Sequence, residues 1–232
     1  MVVTYYTPTL QEKFIKIHKV LQAKGILGEY KSKFTFPDEP HFFHYACERR
    51  SGTKRGKKVL GFGCSEDENE AFVAAVAEAI EQYCILYERN DLFVRDSCNN
   101  LAPDAISPRR FVPFSSDQLA QSKYRKFCVT ESSQLSWLVG YSLTQKKKVL
   151  VPASVVYANY DTGARQEPTI QLKSSTGAAC GSTLDFAIYR GLCEVIERDA
   201  YMISFIRNES IRKIDLSNDP DLSRFVRRIE RY

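Results

Sequence analysis

Two long runs of helical periodicity constrain this chain most, because each follows a group of segments with strand character. The first run covers about residues 67–89, and the second covers about residues 182–205. In both runs apolar side chains recur every three or four positions, as they do on one face of a helix. Strands, a helix, strands and a second helix, in this order, predict an α+β fold with antiparallel sheets and packed long helices.

Shorter patterns complete this prediction. We expect an amphipathic helix from Thr9 to a closing Gly25, and another over residues 219–232. Extended segments are expected at "YKSKFTF", "HFFHYACERR" and "KKVLGFG". Further strands are expected at "WLVGYSL" and "KVLVPASVVYA", on either side of a "TQKKK" turn. The intervening stretch after residue 90 is rich in proline and asparagine, which predicts irregular structure.

Charge and hydropathy argue against several classes of partner. The chain has 33 basic and 28 acidic residues, and much of the excess lies in "RRSGTKRGKK" and "QKKKV". No aromatic residues alternate with these cations to stack on bases, so we interpret both runs as hairpin tips and expect no nucleic-acid partner. The chain has neither a signal-peptide pattern nor a run of 18 apolar residues. Secretion and membrane insertion are therefore not expected.

Cysteine usage points to a reducing compartment. The seven cysteines are odd in number and contain no C-x-x-C spacing, which disfavours a disulfide framework or a zinc cluster and predicts a cytoplasmic protein. A catalytic thiol would need an activating partner, and the chain has three histidines. Two of these, His41 and His44, fall in a strand-like stretch, so a catalytic cysteine is the less favoured interpretation.

A pair of glutamates stands out in the first long helix. In "AAVAEAIEQY", Glu78 and Glu81 lie one turn apart, away from the apolar stripe that we expect to pack on the sheet. Neither glutamate has a lysine or arginine three or four positions away, and like charges this close destabilise a helix slightly. We therefore expect a cation from another part of the chain or from a ligand.

The second long helix carries a similar pair. In "GLCEVIERDA", Glu194 can pair with Arg190 or Arg198, whereas Glu197 has no such neighbour. Leu184, Ile188, Gly191, Leu192 and Val195 form the apolar stripe of this helix. For one pair of glutamates, an exposed acidic turn is the simpler interpretation. Two pairs flanked by alanine, cysteine and isoleucine indicate a site instead.

Four carboxylates from two helices can bind a hard divalent cation. Mg²⁺ bound in this way keeps several waters and completes its coordination with phosphate oxygens. Arg198 could contact the same phosphates in a forked geometry. The chain has no G-x-x-x-x-G-K-[ST] motif, so the pattern predicts a nucleotide site without a P-loop.

Longer motifs carry a family resemblance. "WLVGYSLTQKKKVLVPASVVY" and "SSTGAACGSTLDFAIYRGLCEVIERDA" resemble the signature segments of the YcaO family of ATP-dependent peptide-modifying enzymes. The resemblance implies one YcaO-like ATP-binding domain over residues 1–232, with ATP and Mg²⁺ as cofactors. It also implies that the four glutamates are metal ligands and that the ATP-binding residues are Glu78, Glu81, Gln82, Ser182, Glu194, Glu197 and Arg198.

The sequence departs from the family pattern at several positions. The family's G-K-G reads G-F-G with Phe62 at its centre, its serine one turn before the first glutamate is Ala74, and its following arginine is Gln82. Ser182 stands where an asparagine is usual. Losing an arginine from a triphosphate site removes a charge-assisted contact of about 1.5–3 kcal/mol. The carboxylates themselves are kept, so ATP binding remains the favoured interpretation.

The resemblance also implies a reaction and its partners. Family members activate a backbone amide of a ribosomally made peptide, and the leading hypothesis is cyclodehydration of Cys, Ser or Thr to azolines. Thioamide formation and a non-catalytic binding protein are the alternatives. A peptide or protein substrate and a separate peptide-recognition partner are implied, and the resemblance also allows a homodimer. No general base can be assigned, and we expect the family's C-terminal part to be missing.

Overall fold

The computed structural model describes residues 8–32, 39–49, 59–208, 215–216 and 218–230. Two compact units can be distinguished within the span predicted as one domain. Unit 1 comprises residues 1–83 and 176–232, and unit 2 comprises residues 84–175. Helices and antiparallel strands occur in the fold as predicted. Among the described residues, no helix combines the length and apolarity that a membrane span requires.

Unit 1 contains a three-stranded antiparallel sheet. Helix α1 (Pro8–Ala23) precedes strand β1 (Leu27–Ser32), and strands β2 (Phe43–Arg49) and β3 (Val59–Ser65) follow, in the sheet order β1-β2-β3. These elements confirm the predicted first helix and the described parts of the three extended segments, whereas residues 33–36 of the first segment and 57–58 of the third lie outside the described residues. The first basic run lies outside the described residues from residue 50 onward.

Helix α2 (Glu68–Leu86) packs on this sheet through small side chains. Its predicted apolar stripe is buried at four positions, and the core that it forms with α1 and the sheet contains Phe14, Leu27, Cys47, Phe72, Ala75, Val76 and Ala79. A Cβ atom added to Gly61 would collide with the α2 backbone at Ala79, and one added to Gly63 would collide at Ala71. The two glycines of the G-F-G motif therefore allow β3 to contact the helix directly.

Helix α3 (Leu184–Arg207) begins after Thr183, whose hydroxyl accepts a hydrogen bond from the Phe186 amide at 3.2 Å. Its apolar stripe is covered only in part by the described residues. Gly191 is buried, but Leu184 and Val195 are 76% and 44% exposed. Residues 176–183, a loop, lie against the helix at Gly191, where an added Cβ would meet the Gly177 carbonyl oxygen.

Helix α4 (Pro220–Ile229) confirms the predicted terminal amphipathic helix. The carboxylate of Asp219 caps it by accepting a hydrogen bond from the Leu222 amide at 2.9 Å. Its Phe225 ring lies 5.5 Å from the ring of Phe42, between centroids.

Unit 2 is built on a second antiparallel sheet of three strands. Strands β4 (Val94–Ser97), β5 (Gln134–Ser142) and β6 (Lys147–Pro152) lie in the order β4-β5-β6. The predicted "TQKKK" hairpin is present, with Lys146 at a φ of 53°. The predicted continuation of the last strand is wrong, because Ala153–Val156 form a helical turn once Pro152, which has no backbone N–H, ends the strand.

A buried polar cluster lies inside unit 2. The Glu167 carboxylate accepts hydrogen bonds from the Ser136 hydroxyl at 2.7 Å and from the Tyr160 hydroxyl at 2.8 Å. The Arg165 guanidinium forms an ion pair of 2.6 Å with Glu88 and lies 4.8 Å from the centre of the Tyr160 ring. The polar groups of this cluster thus satisfy one another.

Candidate functional site

The two glutamate pairs line a single cavity of unit 1, with a volume of about 950 Å³. Helix α2 contributes Glu78 and Glu81, and helix α3 contributes Glu194 and Glu197. The structure therefore brings together the four carboxylates that the sequence places on two separate helices.

Backbone amides hold the carboxylates of α2. Glu78 accepts a hydrogen bond from the Phe62 amide of β3 at 2.7 Å, and this contact depends on the close approach that Gly61 and Gly63 allow. Glu81 accepts a hydrogen bond from the Cys180 amide of the 176–183 loop. A strand and a loop thus position the two side chains at the cavity wall.

The carboxylates of α3 differ in how they are held. Glu194 accepts a hydrogen bond from the Gly177 amide at 3.1 Å and lies 3.4 Å from the Arg198 guanidinium. Gly177 has a φ of 88°, a conformation that favours glycine. Glu197 forms no hydrogen bond or ion pair with any residue that the structure describes. Its carboxylate is therefore available to a ligand in the cavity.

The electrostatics of the cavity favour a cation. Burial is the largest cause that raises the pKa of Glu81, and the charges of Glu78 and Glu194 raise it further. The Cys180 amide and the Arg190 guanidinium act in the opposite direction. Arg190 is thus one cation near the Glu78–Glu81 pair, and its effect on the pKa of Glu81 is the smallest of these causes. Five glutamates and two arginines occur among the described residues of the cavity wall, so negative charge is in excess.

The other predicted ATP-binding residues differ in whether they line the cavity. Ser182 and Arg198 line the cavity, and Ala74 lines it as well. Gln82 is not among the described lining residues, although it follows Glu81 directly. The family position that Gln82 occupies therefore stays a prediction without support from the cavity.

No group of three or more His, Cys, Asp or Glu side chains is placed to hold a metal ion within the described residues. The carboxylates instead face the cavity as two pairs. Mg²⁺ commonly binds through one or two carboxylates, with water and phosphate oxygens as its other ligands. The acid excess and the raised pKa of Glu81 therefore fit a Mg²⁺ ion that a nucleotide brings with it.

One pair of side chains near this cavity was missed from the sequence. The Cys64 thiol lies 4.0 Å from Nε2 of His44, and Cys64 lines the cavity wall. A partner for this thiol was not expected, because the pairing depends on the register of β2 with β3. Sequence periodicity alone does not fix that register.

Residues 62–232 match a family described as YcaO cyclodehydratase, ATP- and Mg²⁺-binding. A similar curated protein is an uncharacterized protein of Methanothermobacter thermautotrophicus, 28% identical over 173 residues. That match covers 72% of this chain and 40% of the relative. The expected cofactors agree with the family description.

Solved structures show the same fold. A YcaO protein of Methanopyrus kandleri, bound with AMPPCP and Mg²⁺, matches with a TM-score of 0.69 at 20% identity, over 97% of this chain and 51% of that one. A heterocyclase in complex with substrate and cofactor matches with a TM-score of 0.77 at 21% identity, over 97% of this chain and 33% of that one. This chain thus spans about half or less of the length of these relatives. On the match over residues 62–232, the chain belongs to the YcaO family.

Proposed function

We propose that the cavity of unit 1 binds ATP together with Mg²⁺ and that the chain serves in the ATP-dependent activation of peptide backbone amides. The observation that carries this proposal is the convergence of Glu78, Glu81, Glu194 and Glu197 on one acid-rich cavity. Membership of a family described as ATP- and Mg²⁺-binding supports it, as does a structural neighbour bound with AMPPCP and Mg²⁺.

The residues of the cavity would have distinct tasks. One or two of the four glutamates would hold each Mg²⁺ ion, which when bound neutralises charge on the phosphate oxygens. Arg198 and Ser182 would contact the phosphates as hydrogen-bond donors. The Phe62 and Gly177 amides fix the orientations of Glu78 and Glu194, so these carboxylates need little rearrangement when the nucleotide binds.

The reaction follows from the family resemblance. A nucleophile adds to the carbonyl carbon of a peptide amide, the resulting oxygen takes the γ-phosphoryl group of ATP, and phosphate then leaves. We propose cyclodehydration, in which the nucleophile is a Cys, Ser or Thr side chain of the substrate and the product is an azoline. Thioamide formation, with an external sulfur nucleophile, is the alternative product. A separate peptide-binding partner and a cytoplasmic location belong to the same proposal.

A non-catalytic family member is the second candidate, and the departures at Phe62, Ala74 and Gln82 favour it. Replacing Gln82 with arginine tests whether this departure weakens the nucleotide site. If the cavity needs the family's arginine, Gln82→Arg should tighten nucleotide binding. Unchanged or weaker binding would mean that Gln82 lies outside the nucleotide contacts, as its absence from the cavity wall suggests.

Calorimetric titration with AMPPCP and Mg²⁺ tests the binding site. Glu81→Gln should weaken binding at least about tenfold, since a charged contact contributes about 1.5–3 kcal/mol. Glu12→Gln, which changes an exposed glutamate of α1 outside the cavity, is the matched control and should leave binding unchanged. Equal affinities for the two variants, or no binding by the unaltered folded chain, would refute the proposed site.

Turnover is tested separately through Glu197. Because Glu197 has no partner among the described residues, Glu197→Gln should leave the thermal midpoint nearly unchanged. ATP hydrolysis, measured in the presence of a peptide substrate, should fall at least about tenfold. A lower midpoint with unchanged hydrolysis would assign Glu197 a structural role.

A further inference from the structure

A thiol and an imidazole face each other on the sheet of unit 1, beside the candidate nucleotide cavity. His44 of β2 and Cys64 of β3 are directly paired in the strand register, so their side chains lie on the same face of the sheet. The distance from Sγ of Cys64 to Nε2 of His44 is 4.0 Å. Cys64 is exposed, so a reagent can reach its sulfur.

Two cavities meet at this thiol. Cys64 and Phe62 line the 950 Å³ cavity that holds the four glutamates. The same two residues, with His44 and Tyr45, also line a smaller cavity of about 180 Å³. A small molecule that enters the smaller cavity therefore reaches a cysteine that also lines the larger one.

The Cys64 thiol needs a base to remove its proton before the sulfur can react as a nucleophile. A free cysteine thiol is already mostly protonated at neutral pH, and partial desolvation raises the pKa of the Cys64 thiol further, whereas the thiolate is the nucleophile in thiol chemistry. His44 can accept the proton as the sulfur attacks. Tyr45, the other titratable group of the smaller cavity, donates its hydroxyl hydrogen to Glu68 at 2.7 Å, and its pKa is raised to about 12. Tyr45 therefore stays neutral and does not compete as a base.

We propose that Cys64 and His44 form a site of thiol–disulfide exchange for small disulfides. The Cys64 sulfur forms a bond to one sulfur of the disulfide, and the original sulfur–sulfur bond breaks. The thiol proton passes to Nε2 of His44 and from there to the departing thiolate, which leaves as a thiol. Cys64 is thereby oxidised to a mixed disulfide, and the released half of the reagent is reduced.

The mixed disulfide has a consequence for the larger cavity, and this consequence rests on the proposed function. A group attached to Cys64 occupies the wall that the two cavities share. It therefore excludes part of a nucleotide from the larger cavity. Exchange at Cys64 would make nucleotide binding depend on the ratio of small disulfides to thiols.

The first experiment compares thiols within one chain. The full chain is treated with cystamine at neutral pH, and the modified fraction of each cysteine is followed by peptide mass spectrometry. Cys128 is the internal control, because it is also exposed but its sulfur lies 3.9 Å from the Leu119 carbonyl oxygen. Cys64 should react at least about tenfold faster than Cys128. Equal rates at the two thiols would overturn the proposal without any variant.

The second experiment tests the base. His44→Gln should lower the rate at Cys64 to that of Cys128, and free imidazole should restore the rate at Cys64 in His44→Ala. The buried thiols Cys47 and Cys98 report the integrity of the fold, because unfolding would expose both to cystamine. A folded His44→Gln chain with an unchanged rate at Cys64 would overturn the role of His44.

The third experiment concerns the nucleotide. Affinity for AMPPCP with Mg²⁺ is measured before cystamine treatment, at full modification of Cys64, and after reduction with dithiothreitol. We expect at least about a tenfold loss of affinity, with recovery on reduction. Unchanged affinity at full modification would overturn the blocking effect. Absence of binding before treatment would count against the proposed function and not against the exchange site.

Discussion

Glu167 of unit 2 is buried and Glu81 of unit 1 is half-buried, and the surroundings of the two carboxylates differ. Glu167 is 8% exposed and accepts hydrogen bonds from Ser136 and Tyr160. Glu81 accepts one from a backbone amide and has two carboxylates near enough to raise its pKa. The difference indicates that the Glu167 carboxylate, which has hydrogen-bond donors around it, stabilises the fold. The Glu81 carboxylate, which lies near two other carboxylates, is instead suited to bind a cationic ligand.

The arginines of the two units show the same contrast. The Arg165 side chain in unit 2 is 28% exposed, and its guanidinium pairs with Glu88 and lies over an aromatic ring. The Arg198 side chain in unit 1 is 62% exposed and lies 3.4 Å from Glu194. Exposed pairs of this kind stabilise a protein little. Arg198 can therefore turn to a phosphate at small cost.

The unfolding of each unit can be followed by a separate spectroscopic signal. Trp137, the single tryptophan of the chain, is fully buried in unit 2. Its fluorescence therefore follows the unfolding of unit 2. Far-UV circular dichroism also reports helices α1, α2 and α3, so a change confined to unit 1 should appear in dichroism and leave the fluorescence transition in place.

The largest effect is expected from Gly63→Ala. The new Cβ would collide with the backbone of α2, which cannot move without disrupting the core of unit 1, so the free energy of unfolding should fall by about 3 kcal/mol. Gly140→Ala in unit 2 is the matched control, because its Cβ would meet a Val151 methyl group at 3.1 Å and the Val149 carbonyl oxygen at an ordinary contact distance of 3.8 Å. We expect its cost to stay below about 1 kcal/mol. Denaturant titration measures both, and equal costs would contradict the close contact of β3 with α2.

Tyr160→Phe should have a smaller effect, confined to unit 2. The substitution keeps the ring and removes a hydroxyl that donates to Glu167, and a hydrogen bond to a charged group contributes about 1.5–3 kcal/mol. The Trp137 fluorescence transition should move to lower denaturant concentration, whereas affinity for AMPPCP should not change. A weaker affinity for AMPPCP in Tyr160→Phe would mean that the buried cluster of unit 2 influences the cavity of unit 1, which we do not expect.

The pH dependence should differ between the units in sign and window. The pKa of Glu81 is raised by burial from 4.5, so the folded state binds more protons, and the stability of unit 1 should fall as pH rises from 4.5 to the raised value. In unit 2 the pKa of Asp96 is lowered from 3.8, first by the Ser97 amide. Its stabilising contribution should be present above 3.8 and be lost as pH falls further. Denaturant titrations across this range measure both slopes, and Glu81→Gln should flatten the first.

The smallest effect on stability is expected from Arg198→Gln. Loss of its exposed pair with Glu194 should change the free energy of unfolding by less than about 0.5 kcal/mol. Affinity for AMPPCP with Mg²⁺ should nevertheless fall about tenfold. Arg224→Gln, on the exposed face of α4, is the control and should alter neither quantity. If Arg198→Gln behaved like this control, Arg198 would have no part in nucleotide binding.

Local patterns predicted the parts of the fold that depend on neighbouring residues. Apolar spacing identified α2 and its buried face, and missing cations at i±3 and i±4 singled out Glu78 and Glu81. The polar composition of "TQKKK" likewise predicted a turn. These features are determined by interactions between residues within one or two helical turns or within one hairpin.

Features that depend on distant contacts were not predicted. The stripe of α3 has helical spacing, but spacing does not tell whether Leu184 and Val195 find a surface to pack on. The hairpin of β2 and β3 could not be aligned from the sequence, so the meeting of His44 and Cys64 was missed. Pro152 gave a local signal for the end of β6, but the apolar β-branched residues after it indicated a strand more strongly.

The anchoring of α3 at Gly191 and Glu194 has a consequence for its motion. Beyond these residues, Tyr201, Phe205 and Ile206 are each at least 60% exposed, so within the described part of the chain the last turns are held mainly by their own backbone hydrogen bonds. Helical turns without tertiary packing open more readily than anchored ones. Amide hydrogen exchange should therefore be slow near Gly191 and become progressively faster toward Arg207. Such a gradient would mean that the helix is rigid where it lines the cavity and that its C-terminal turns open locally.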